Sequence, residues 1–120
     1  MIIDRILKAA PPGTAIPKPA GSRCFVVKGK GVRRGQTALI YTIPNHRNPE
    51  RPYEKGVTNG ELAAAHKRLL AAGELSHEWF NRHLHACAAE GSCNFTTIGG
   101  LFQRAGWVVY AKRGLYRRAD

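Results

Sequence analysis

The stretch NFTTIGGLFQRAGWVVYAKRGLYRR, residues 94–118, sets the reading of the rest of the chain. At roughly 100° per residue, Ile98, Leu101, Phe102 and Ala105 gather on one side of a helix. Thr96, Thr97, Gly100, Gln103 and Arg104 gather on the other. The pattern predicts one buried and one presented face. Asn94 or Thr96 is placed to cap the start, and Gly106 stands where a left-handed residue ends a helix. Beyond it, two short aromatic and β-branched runs, residues 107–110 and 115–118, flank Ala111, Lys112, Arg113 and Gly114. They predict a β-hairpin with a basic tip.

Upstream, Thr58 and Glu61 form a capping box, so a helix should start there and run to about Ala72, where Gly73 stops it. Ser76 is placed to cap a second helix through about Ala89, with Phe80, Leu84 and Cys87 on its inner face. Residues 57–120 thus read as three helices and a hairpin. That order resembles the winged helix-turn-helix superfamily of DNA-binding domains, on patterning rather than on a signature motif.

The resemblance implies double-stranded DNA as partner, a turn at about residues 90–94 and a recognition helix over about residues 95–105. It implies that Gln103 and Arg104 read base edges, since a Gln amide pairs with adenine and an Arg fork with guanine. Thr96 and Thr97, at the helix start, would meet phosphate oxygens. Gly99 and Gly100 each cost a helix about 1 kcal/mol relative to alanine. Close approach of the helix to DNA or to a neighbouring helix would account for the Gly99 and Gly100 pair. Lys112, Arg113, Arg117 and Arg118 would contact phosphate or the minor groove.

The first half, residues 1–56, reads differently. Ile2, Ile3, Ile6, Leu7 and Ala10 follow a helical spacing and predict a short amphipathic helix over residues 2–10, folded back on its own core or used as a homodimer element. Pro11, Pro12, Pro17 and Pro19 make the next segment an extended connector. Two β-rich runs, residues 23–28 and 37–43, predict a hairpin joined by the glycine-rich residues 29–36. Lys28, Lys30, Arg33 and Arg34 there form either a second phosphate-contacting finger or a solvated basic loop. Residues 45–55 read as a polar loop. The fold class is therefore α+β: an N-terminal helix and β-hairpin, then a three-helix, winged-helix-like unit with a C-terminal wing, the two parts packed as one domain.

Charge supports a polyanionic partner. The 120 residues carry 19 Lys and Arg against 8 Asp and Glu, a formal net charge of +11. The excess is segregated: residues 5–49 and 91–119 contain no acid, whereas residues 50–90 are nearly neutral. RNA binding, a protein-interaction module and a nuclease component are the alternatives.

Other chemistries find less support. His83, Cys87 and Cys93 lie close in sequence, but their spacing matches no common zinc pattern, and His83 and Cys87 fall on the predicted inner face. His66 likewise falls on the inner side of its helix. Three cysteines argue against a disulfide framework, with Cys87 and Cys93 the pair to check. His46, Arg47, Asn48, Glu50, Glu54 and Lys55 are the best candidates for catalysis, yet a polar loop explains them. No resident metal or cofactor is implied. No run approaches the roughly eighteen apolar residues of a membrane span, and with Asp4 near the start the expectation is a cytoplasmic protein without membrane contact.

Overall fold

The structure, a computed structural model, describes residues 1–21 and 24–120. Helix α1 (Ile2–Ala9) leads through an extended strap to a hairpin, β1 (Val26–Arg33) and β2 (Gln36–Ile43). Strand β3 (Tyr53–Thr58) follows and enters α2 (Asn59–Ala72) directly. Then come β4 (Glu74–Ser76), α3 (His77–His83), α4 (His85–Glu90), α5 (Cys93–Arg104), β5 (Val108–Lys112) and β6 (Leu115–Arg118). Two antiparallel three-stranded sheets result, ordered β1-β2-β3 and β4-β6-β5. This is the α+β layout expected. β3 crosses the anticipated boundary at residue 56, and one apolar cluster from Ile3 to Tyr116 draws on both parts.

Local chemistry places the helix ends. At Thr58 the capping box is complete: its side chain accepts from Glu61 N, and its own N–H donates to the Glu61 carboxylate. Gly73 closes α2 at φ 74°. Ser76 caps α3 by accepting from Trp79 N. After α5, Gly106 N donates to Gln103 O and Trp107 N to Phe102 O, the paired bonds of a Schellman ending, with Gly106 at φ 80°.

Elsewhere the structure departs from the expectation. The second helix is broken at Leu84 (φ −119°, ψ 46°), and the bend turns α4 so that Cys87 O reaches Asn94 and the Glu90 carboxylate reaches Arg33 and Arg34. The loop expected over residues 45–55 ends in β3, whose outer half is polar because it lies on a sheet edge. The first hairpin is tighter than expected. Its strands continue through the glycine-rich segment and meet at Arg34 and Gly35, both at positive φ (50° and 72°), as a two-residue turn requires. Gly31 faces Ile40 rather than a ligand, since a Cβ there would collide with the Ile40 side chain. The strand expected to begin at Arg23 starts in the described residues at Val26, and Arg23 itself lies outside them.

α1 folds back on its own chain. Ile3, Ile6 and Ala10 are fully buried and Ile2 and Leu7 partly, so its apolar stripe packs on the chain's own core. The strap follows the edge of β1 through Gly13 N to Val27 O, Val27 N to Thr14 O and Ile16 N to Phe25 O. It then crosses α5 at Ile16 and Pro17. Tyr116 of β6 presses on α5 from another side.

α5 is therefore enclosed, not two-faced. Thr97 and Gly100, expected on the presented face, are buried with Asn94, Phe95, Ile98, Gly99, Leu101 and Phe102. A Cβ on Gly100 would run into Pro17 O and Ile16, and one on Gly99 into the Tyr116 ring. Nor do Asn94 and Thr96 cap the helix, which starts after Ser92 without a side-chain cap. Asn94 instead accepts from Tyr41 Oη (2.6 Å) and donates to Cys87 O (2.9 Å), while Thr96 Oγ1 donates to Cys93 O. Burial first, and then the neighbouring Cys93, raise the Tyr41 hydroxyl well above its ordinary range, so it remains a donor.

Helix propensity alone would have Gly100→Ala stabilise the protein by about 1 kcal/mol. With backbone in the way, destabilisation by about 1–3 kcal/mol is expected, read as a lower urea midpoint at unchanged m-value.

Candidate nucleic-acid interface

The basic residues divide into those held by carboxylates and those left to solvent. All four cations of the first hairpin are held. Lys28 pairs with Glu54 at 2.6 Å, Lys30 with Asp4, and Arg33 with Glu90 at 3.1 Å. Arg34 grips both Glu61 oxygens, reaches Glu90 at 2.8 Å and donates to Gly56 O at 2.9 Å. Lys55 donates to Glu90 O. Burial alone would raise the Glu61 and Glu90 carboxyls, but the arginines hold both below the ordinary carboxylate range.

Of the four residues read as a phosphate finger or a solvated loop, Arg33 and Arg34 are thus committed to carboxylates within the fold. Arg33 and Arg34 tie the hairpin tip to α2 and α4, at side-chain exposures of 30% and 23%. Lys28 and Lys30 form exposed pairs that fold beside them.

The C-terminal hairpin has the opposite character. Lys112, Arg113, Arg117 and Arg118 are all exposed. Among the described residues, no carboxylate lies within ion-pair distance of Lys112, Arg113 or Arg117, although Glu74 stands opposite Arg117 in the β4–β6 register. Arg118 is 3.9 Å from Asp120. The hairpin is pinned by Tyr116, fully buried 5.6 Å from the Phe95 ring, and by His77 N donating to Gly114 O. Burial pushes the Tyr116 hydroxyl up to about 12.

Of the residues expected to read bases, Gln103 is half-buried. Arg104 is exposed, but its guanidinium donates to Ala9 O at the end of α1 (3.1 Å). Thr96 is half-buried. The structure thus gathers the wing cations and separates them from Thr97 and Gly100, which lie inside.

Two features are not directly legible in the sequence pattern. Arg5 stacks over Trp107 at 4.8 Å and shares a cleft with His66, Leu70 and Arg118. The polar side of α1 could have suggested Arg5. A cavity of about 470 Å³ also opens at the base of the wing, between the strap, the start of α5 and the hairpin turn. Its lining is assembled from parts of the chain too distant for sequence to pair.

The zinc candidates do not converge. His83 is exposed against Trp79, which corrects its inner placement, while Cys87 is buried and Cys93 sits 3.3 Å from Tyr41 Oη. All three cysteines are free, and no three metal-binding side chains cluster among the described residues. His66 is half-buried beside Trp107 at 4.6 Å.

His66 and His77 are both lowered from their ordinary value, His77 by burial and His66 by burial first and then by Arg5 and Arg118. A lowered base binds fewer protons folded than unfolded. Their contribution to stability is therefore whole above the unfolded pKa of about 6.5 and is lost as pH falls below it. Thermal unfolding should show a lower Tm at about pH 5.5 than at about 7.5, with a smaller drop in His77→Phe. An Arg34→Gln variant should lose about 1–3 kcal/mol, because Glu61 is left with its Thr58 N–H bond and Glu90 with Arg33, measured by denaturant unfolding. No protein family, characterised protein or solved structure matches the chain.

Proposed function

We propose that the protein binds double-stranded DNA as a winged-helix-like module, working in the cytoplasm, and that the wing rather than α5 makes the principal contact. The observation carrying this reading is the sorting of charge. Asp4, Glu54, Glu61 and Glu90 neutralise the first hairpin, while among the described residues Lys112 and Arg113 at the wing tip have no carboxylate within ion-pair distance. Unneutralised cations on a rigid hairpin can displace the counterions condensed on a phosphate backbone.

The order helix, strand, helices, hairpin, with β4 joining the wing as its third strand, supports the winged-helix likeness. The strap over α5 opposes insertion of that helix into a major groove, so the contacts are to phosphate and the minor groove rather than a base code. Arg5 in the middle of α1 shares a cleft with Arg118, and Lys8 and Arg104, at the ends of α1 and α5, add exposed positive charge. No helix among the described residues is long and apolar enough to cross a membrane.

Fluorescence anisotropy on a duplex across a salt series tests this. Lys112→Ala and Arg113→Ala should each weaken binding on every sequence alike and reduce the slope of log K against log salt by about one. Lys28→Ala should leave the slope unchanged. Equal effects from Lys28→Ala and Lys112→Ala, or no salt-dependent binding at all, would overturn the assignment.

A further inference from the structure

The 470 Å³ cavity at the base of the wing falls inside the range of about 300–1,000 Å³ usual for small-molecule sites. Its floor is aromatic. His77 stacks on Phe95 at 4.6 Å and 3°, and Tyr116 meets Phe95 edge-on. Tyr110 forms one wall, 39% exposed and braced by an edge contact with Tyr116 at 5.6 Å. Arg113 from the hairpin turn supplies positive charge, while Lys18 of the strap lies with its ammonium over the Phe25 ring at 4.0 Å, and among the described residues no carboxylate is in the lining. Ser92 and Thr96 contribute hydroxyls. The buried Tyr116 hydroxyl has no hydrogen-bond partner among the described residues, a condition that buried polar groups seldom keep.

These features call for a flat ring joined to an anion. Inorganic phosphate would satisfy Arg113 and leave the aromatic lining unfilled, whereas an uncharged aromatic would leave Arg113 idle. We propose that this cavity holds one unpaired nucleotide, its base against Tyr110 and its phosphate at Arg113, with polar atoms of the base or sugar left to Ser92 and Thr96. Stacking on an aromatic side chain tolerates every base because each has a π-face, so the site recognises unpairedness rather than sequence. The inference deepens the DNA reading: the wing tip that meets phosphate also carries Arg113 to the cavity mouth. The nucleotide comes from the bound strand, as a frayed end or an extruded base, or from solution as a free monophosphate.

The test compares three duplexes by anisotropy at fixed salt: blunt, with a one-nucleotide overhang, and with the same overhang lacking its base. Calorimetry with adenosine monophosphate, adenosine and inorganic phosphate runs beside it. The overhang duplex should bind roughly 5-fold or more tightly than the other two. Tyr110→Ala should abolish that preference without changing the salt slope, and Tyr110→Phe should retain it. Equal affinity for overhang and baseless overhang, or a preference that survives Tyr110→Ala, overturns the proposal while leaving wing-dependent duplex binding intact. Adenosine monophosphate binding that depends on Tyr110, with no duplex binding, would instead support the cavity and overturn the DNA reading.

Discussion

Helix α5 is held at two glycines where no other residue would fit. The Tyr116 ring lies against Gly99, and the Pro17 carbonyl and the Ile16 side chain lie against Gly100. A methyl group at either point would push the wing or the strap outward. The two glycines weaken the helix as a helix, and the surrounding burial of Ile98, Leu101, Phe102 and Phe95 offsets that cost. Because both neighbours dock on one helix, the strap's pairing with β1 and the wing's pairing with β4 belong to a single core. The two parts of the chain are therefore layers of one packing arrangement.

The second constraint is electrostatic. Segregation of charge along the sequence does not survive folding in the first half. Glu54, Glu61 and Glu90 belong to the nearly neutral middle of the chain, yet β3, α2 and α4 bring them to the first hairpin's cations. Arg34 accepts a left-handed backbone, at a cost on the order of 1–3 kcal/mol, in a turn where its guanidinium bonds two carboxylates and a carbonyl. Among the described residues the C-terminal hairpin has only Glu74 in register and Asp120 near its end, so its charge remains available.

Sequence was a good guide wherever a single residue type answers a local demand. Thr58 with Glu61, Gly73, Ser76 and Gly106 each meet a hydrogen-bond or φ requirement that no distant part of the chain alters. Both hairpins could be read from their β-branched runs for the same reason. What remained hidden depends on what lies alongside. A helical wheel of residues 94–105 shows two faces, but it cannot show a proline-rich strap lying across the polar one. The polar start of β3 has no alternation to separate it from a loop, because an edge strand exposes Tyr53 and Glu54. Of the residues named for nucleic acid, those on the wing kept their exposure, whereas Thr97, Gly100, Arg33 and Arg34 were claimed by the interior or by acids.

Tyr116 has a consequence that reaches beyond packing. A hairpin tethered only by its turn and a neighbouring strand would fluctuate, and a ligand would have to freeze it. Here the ring sunk against Gly99 and the Gly114 carbonyl tied to His77 fix the hairpin's direction when the chain folds. The conformational entropy is spent before any partner arrives, so little of the association energy is diverted to ordering the arm.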